Sequence, residues 1–94
     1  MTWWINVSKY SIMRIIAELP HPEFKISILN MNDKYIVKIE QGSQEQTYKI
    51  AGIDLLDGVN SIFELLDEAF LKTVSARFTE MRKDWADAFR RYNY

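Results

Sequence analysis

The chain has 94 residues, and its 48% hydrophobic and 27% charged content is typical of one folded globular domain. A net charge of −1 excludes a surface that attracts nucleic acid over its whole area, and the absence of cysteine excludes disulfides and thiolate chemistry. We therefore expect a single domain over residues 1–94, with no linker and no second domain.

The amino-terminal residues do not predict a secretory signal. Their apolar run is short, is interrupted by Asn6 and Ser8, and has no basic region before it. No segment reaches the roughly 20 apolar residues that a membrane span needs. The sequence therefore predicts a cytoplasmic protein with no membrane partner.

Ser8 to Leu19 is predicted to form a short helix. Ile12, Ile15, Ile16 and Leu19 follow the i, i+3, i+4, i+7 spacing of one helix face, and Ser8 can cap the first turn. Pro20 and Pro22 would end this helix, because proline lacks the N–H that the helix needs. The conformation of residues 1–7 stays open.

Three strands are predicted next, at Phe24 to Met31, Lys34 to Gln41 and Gln44 to Ala51. Apolar and polar residues alternate along them with the period of two that is typical of half-buried strands. Asn32-Asp33 and Gly42-Ser43 have the composition of two-residue hairpin turns. Together they predict a three-stranded antiparallel meander.

The pairing that these turns impose collects the large apolar side chains on one face. Ile28 would lie opposite Val37, and Val37 opposite Tyr48, whereas a slip of one residue would turn the set toward solvent. The predicted inner face consists of Phe24, Ile26, Ile28, Tyr35, Val37, Ile39, Tyr48 and Ile50.

Val59 to Tyr92 is predicted to form one long amphipathic helix after the connection Gly52 to Gly58. Neither Gly nor Pro interrupts the helix after Gly58, and Ser61 with Glu64 has the form of a capping box. The fold class is therefore α+β, in the order α-β-β-β-α. The apolar positions recur every three or four residues, at Val59, Phe63, Leu66, Phe70, Val74, Phe78, Met81, Trp85, Phe89 and Tyr92.

No pattern in the sequence predicts a catalytic, cofactor or metal site. The acidic residues Glu64, Asp67 and Glu68 are typical of a solvated helix face, and His21 has no second histidine or cysteine to share a metal. The three glycines are scattered, so no loop can cradle a phosphate. We expect a protein that is not an enzyme.

The carboxyl half of the long helix is the predicted interface. A helix of this length, about 50 Å, outruns strands of about 26 Å, so its apolar stripe needs another cover. The sequence leaves three alternatives for what covers this stripe. They are a break near Thr73 to Ser75 that folds the helix back on itself, the first helix, and a second copy in an antiparallel homodimer. We favour the homodimer, with candidate interface residues Trp3, Trp4, Phe78, Met81, Trp85, Phe89 and Tyr92.

Two other functions compete with self-association. Weak nucleic-acid binding would use the basic side chains that lie among the aromatic residues of the carboxyl end, although the acidic start of the helix disfavours tight binding. Binding through the outer sheet face would depend on Leu29 and Ile36. A different protein partner is also compatible with the pattern. The alternative nucleic-acid contacts are Arg82, Lys83, Arg90 and Arg91.

Overall fold

The structure, a computed structural model, describes residues 13–93. It is an α+β fold in which a four-stranded antiparallel sheet is followed by a short helix and a long one. Strands that follow one another along the chain are neighbours in the sheet. The elements are β1 (Arg14–Leu19), β2 (Lys25–Met31), β3 (Lys34–Gln41), β4 (Gln44–Ala51), a 3-10 turn (Gly52–Asp54), α1 (Gly58–Leu65) and α2 (Glu68–Tyr92).

Strands β2, β3 and β4 form the predicted meander in the predicted register. Ile28 lies opposite Val37, and Val37 lies opposite Tyr48. The first hairpin turns through Asn32 and Asp33, which adopt φ of 50° and 62°. Gly42 supplies a φ of 59° in the second turn. These left-handed conformations suit Asn, Asp and Gly, so local turn chemistry and the apolar pattern specify the same pairing.

The first helix predicted at Ser8 to Leu19 is wrong over its second half, because residues Arg14 to Leu19 form the edge strand β1. Residues 8–12 lie outside the described part of the chain. A bulge explains the misleading spacing: Ile15 lies opposite Leu29, but Ala17 already lies opposite Ile28. One extra residue in the strand shifts the two-residue alternation, and the apolar residues then recur as on a helix.

The long helix is also interrupted, so the prediction of one helix over Val59 to Tyr92 is wrong. It divides at Leu66 and Asp67, not near Thr73 to Ser75. Leu66 leaves the helical conformation with φ −84° and ψ 53°. Asp67 then caps α2, because its Oδ1 accepts a 2.8 Å hydrogen bond from the Phe70 N–H. The predicted capping box is absent at Ser61, whose Oγ accepts from the Asp57 N–H.

Both helices cover the inner face of the sheet. Ile62 of α1 and Val74 and Phe78 of α2 are at most 1% exposed. The sequence pattern places Phe63 on the inward stripe, but Ile62 is the buried residue of α1 and Phe63 is 39% exposed. The core cluster comprises Phe24, Ile26, Ile28, Val37, Ile39, Ile62, Val74 and Phe78, with Tyr35, Tyr48 and Ile50 partly buried against it.

A buried glutamine on the edge strand β4 forms a hydrogen bond with the backbone of α2. Gln46 is 7% exposed, and its Nε2 donates a 3.0 Å hydrogen bond to the carbonyl oxygen of Val74. Its Oε1 accepts a 2.7 Å hydrogen bond from the Tyr48 hydroxyl. Because both ends of the amide are satisfied, burying it is not penalised. Gln46 therefore fixes where along its length α2 lies on the sheet.

Replacing Val37 by aspartate should unfold the domain. The side chain is 6% exposed on a central strand, and an unpaired charge there costs several kcal/mol out of a typical stability of about 5–15 kcal/mol. Circular dichroism and thermal melting measure the outcome. Thr47→Asp, on the outer face of β4, is the control and should stay folded. A folded Val37→Asp protein with the wild-type melting temperature would contradict the register.

Replacing Gln46 by glutamate should destabilise the fold in a pH-dependent way. At pH 7 a carboxylate would face the Val74 carbonyl oxygen, at a cost of about 2–3 kcal/mol. Burial raises the folded-state pKa of the carboxyl above its unfolded value of about 4.3, so the penalty shrinks as the pH falls toward that value. Urea unfolding at pH 7 and pH 4.5 measures this, with wild type compared at each pH. Gln46→Leu, which cannot ionise, should lose the same amount of stability at both pH values. A loss of stability in Gln46→Glu that is equally independent of pH would refute the contact.

Candidate functional site

The carboxyl-terminal part of α2 extends beyond the sheet. Arg82 Nη1 donates a hydrogen bond to Gln41 Oε1 at the end of β3. Trp85 lies near Gln44, at the start of β4, where the two residues line a shallow depression. The sheet therefore ends at the level of Arg82 to Trp85. Beyond that level the described part of the chain places no strand under the helix.

Three large aromatic residues are exposed on this extension. Trp85 is 66% exposed, Phe89 is 57% exposed and Tyr92 is 82% exposed. The rings of Phe89 and Tyr92 lie beside each other, with centroids 6.2 Å apart. We call these three residues the aromatic end. Exposed apolar residues grouped in this way on a helix mark interaction surfaces more often than isolated ones do.

The other predicted interface residues are placed differently. Phe78 is 0% exposed in the core, so it cannot contact a partner. Met81 is partly buried against that core and adjoins the aromatic end. Trp3 and Trp4 lie outside the described residues.

Two basic residues at the aromatic end are engaged by one carboxylate. Lys83 Nζ lies 3.1 Å from Asp87 Oδ2, and Arg90 Nη1 lies 3.0 Å from Asp87 Oδ1. The hydrogen bonds from Lys83 and Arg90 hold the pKa of Asp87 below its usual range, and the bond to Asp87 raises the pKa of Lys83. These ion pairs order the side chains along the helix but leave Arg91 exposed.

A second apolar feature lies near the break between the helices. It is a groove of about 230 Å³ between strands β3 and β4 and the two helices. Leu65, which is 55% exposed, stands at its surface. We call it the α1–α2 groove; its apolar walls include Tyr48, Ile50, Ile62, Leu65, Leu66 and Phe70.

Sequence reasoning missed this groove because it depends on the unforeseen helix break. An unbroken helix would carry Leu66 and Phe70 along one stripe against the sheet, with no gap between helix segments. The available signal was Asp67, a favoured helix-capping residue followed by Glu68 in what became the first turn.

The outer sheet face offers little apolar surface at Ile36, one of its two predicted apolar residues. Ile36 is only 8% exposed, and its cross-strand neighbours are Leu29 and Lys49. Among residues 13–93, no group of three or more His, Asp or Glu side chains is arranged to hold a metal ion.

Comparisons with known proteins do not add a family. No family model, no curated protein sequence and no solved structure matches the chain. None of the helices in the described part of the chain is long and apolar enough to cross a membrane.

Removing both cations beside Asp87 should raise the pKa of that carboxyl to its ordinary value. In Lys83→Met with Arg90→Met, the hydrogen bonds that favour the charged form are lost. The pKa of Asp87 is lower in the folded protein than in the unfolded chain, so the two ion pairs stabilise the fold at pH values above the unfolded-state pKa. This stabilisation is lost as the pH falls through the folded-state pKa of Asp87. A carboxyl-carbon NMR titration measures the change. An unchanged midpoint in the double variant would contradict the pairing.

Proposed function

We propose that this protein is a non-enzymatic interaction module that associates with a second copy of itself through the aromatic end. The observation that carries the proposal is the exposure of Trp85, Phe89 and Tyr92 on a helix extending past its own sheet. Aromatic residues with arginine close by are the composition enriched at protein interfaces. Arg90 and Arg91 lie in the last turn of α2, beside these rings.

Hydrophobic burial supplies the driving force for this association. Leaving a large apolar side chain in water instead of burying it forgoes about 1.5–3 kcal/mol, and three such side chains are exposed within three turns. A second copy is the partner favoured by symmetry, since two-fold pairing lets one patch cover its own equivalent. A different protein with a matching apolar surface would satisfy the same requirement.

Weak nucleic-acid binding through Arg82, Lys83, Arg90 and Arg91 remains the alternative function, and the side-chain contacts favour it less. Lys83 and Arg90 are both paired with Asp87, and Arg82 donates to Gln41 and Thr79. Binding to phosphates would compete with these contacts. With a net charge of −1, the chain also lacks the excess positive charge that supplies most non-specific affinity.

Removing two rings of the aromatic end should abolish self-association. We expect wild type to sediment as a dimer at micromolar concentration, and Trp85→Ala with Phe89→Ala to sediment as a monomer. Interface aromatics of this kind cost about 2 kcal/mol or more each when truncated, so the two truncations together should raise the dissociation constant by roughly 1,000-fold. Sedimentation velocity over a concentration series measures it.

The matched control removes exposed apolar residues elsewhere. Ile53 and Leu56 are 92% and 104% exposed, and Ile53→Ala with Leu56→Ala should leave the dimer intact. A wild-type monomer at the highest soluble concentration would refute self-association. Sub-micromolar binding to RNA at physiological salt, lost in Arg90→Glu with Arg91→Glu, would support the alternative function instead.

A further inference from the structure

We infer that the aromatic end of one copy inserts into the α1–α2 groove of a second copy, and that the contact is reciprocal. This inference rests on the proposed self-association and names the surface on the partner that receives the aromatic end. It makes the dimer an exchange of two equivalent contacts, in which each copy both donates an aromatic end and offers a groove.

The size of the groove favours a side chain as its occupant. Its volume of about 230 Å³ lies below the roughly 300–1,000 Å³ that is usual for small-molecule sites. An apolar cavity of about 150 Å³ is known to hold benzene, so the groove has room for one aromatic ring. Its walls are almost wholly apolar, as a buried ring requires.

The chain cannot fill its own groove with its own aromatic end. Phe70, in the first turn of α2, lines the groove, whereas Phe89 stands near the other end of the same helix. An unbroken α-helix holds these two residues about 28 Å apart along its axis. The two apolar surfaces are therefore available to each other only between different molecules.

The charges beside the two surfaces are opposite. Residues 54–71 contain five acids and no base, whereas residues 72–94 contain six bases and three acids. Glu64 and Glu68 are exposed next to the groove residues Leu65 and Leu66. One base, Lys49, lines the groove itself. Arg91, which the ion pairs with Asp87 leave exposed, would approach Glu64 and Glu68 of the partner, so the potential favours an antiparallel arrangement of the two α2 helices.

The area that a stable dimer needs also favours the reciprocal contact. Aromatic side chains bury roughly 150–250 Å² each. With the exposures of 66%, 57% and 82%, the aromatic end offers roughly 400 Å² per copy. Two aromatic ends packed only on each other would bury roughly 800 Å², short of the roughly 1,000 Å² expected of a specific interface. Two groove contacts add the groove walls of both copies.

A charge exchange between two variants tests the reciprocal contact. The first variant is Arg90→Glu with Arg91→Glu, and the second is Glu64→Lys with Glu68→Lys. Each alone would place like charges at both contacts, so its dimer should weaken by roughly 100-fold. In an equimolar mixture, the glutamates of the first variant face the lysines of the second, so one contact has attractive charges of reversed sign. The native arginines of the second variant face the native Glu64 and Glu68 of the first, so the other contact is unchanged. We expect the mixed dimer to recover affinity to within roughly threefold of wild type.

The apolar half of the contact has its own matched pair of variants. Leu65→Glu places a charge at the mouth of the groove and should give a monomer. Ile15→Glu introduces the same charge on β1, at a residue of similar exposure, 61% against 55%, and should leave the dimer intact. Both variants should remain folded, since neither residue is part of the core. Circular dichroism checks this.

The outcomes separate the two proposals. If Trp85→Ala with Phe89→Ala is monomeric while Glu64→Lys with Glu68→Lys and Leu65→Glu stay dimeric, the aromatic ends pack on each other and the groove contact is overturned. If the mixture of charge variants fails to dimerise, the contact is likewise overturned. A monomeric wild type overturns both proposals and leaves the groove to a different occupant.

Discussion

The mismatch in length between α2 and the sheet decides which surfaces this protein presents. A 25-residue helix is about 37 Å long, whereas eight-residue strands span about 26 Å. Gln46 holds α2 on the sheet through the Val74 carbonyl, and Phe78, one turn further along the helix, is buried in the core. With the helix fixed in this position, the sheet formed by residues 13–93 does not extend beneath its last turns, and the aromatic residues they carry are exposed.

Because the helix breaks after α1, a second surface is created by the same packing. Leu66 leaves the helical conformation and Asp67 caps the new helix, so α1 and α2 are separate segments. Ile62 is brought into the core, and the space between the segments becomes the α1–α2 groove. With the break at this place, Ile62 lies in the core and Leu65 lies at the mouth of an apolar groove. Both surfaces follow from covering one small sheet with two helical segments.

The meander could be predicted from the sequence because independent signals agree there. Asn32-Asp33 and Gly42-Ser43 fix the turn positions, and the two-residue alternation independently fixes the same register. No such agreement exists at β1, where the bulge at Ile16 gives a strand the spacing of a helix. The aromatic end was predictable from periodicity and length, whereas the groove was not, since it depends on the angle between two helices. A local sequence pattern does not encode that angle.

The charge order along α2 has two physical consequences that do not conflict. Glu68 in the first turn and Arg90 and Arg91 in the last turn stabilise α2 within a single chain, because their charges interact favourably with the helix dipole. That effect acts only within the terminal turns and leaves the outward charge of each end in place. When two such helices meet antiparallel, the basic end of each faces the acidic start of the other. The charge order that stabilises the helix alone would therefore also disfavour a parallel pairing of two α2 helices, in which like ends would meet.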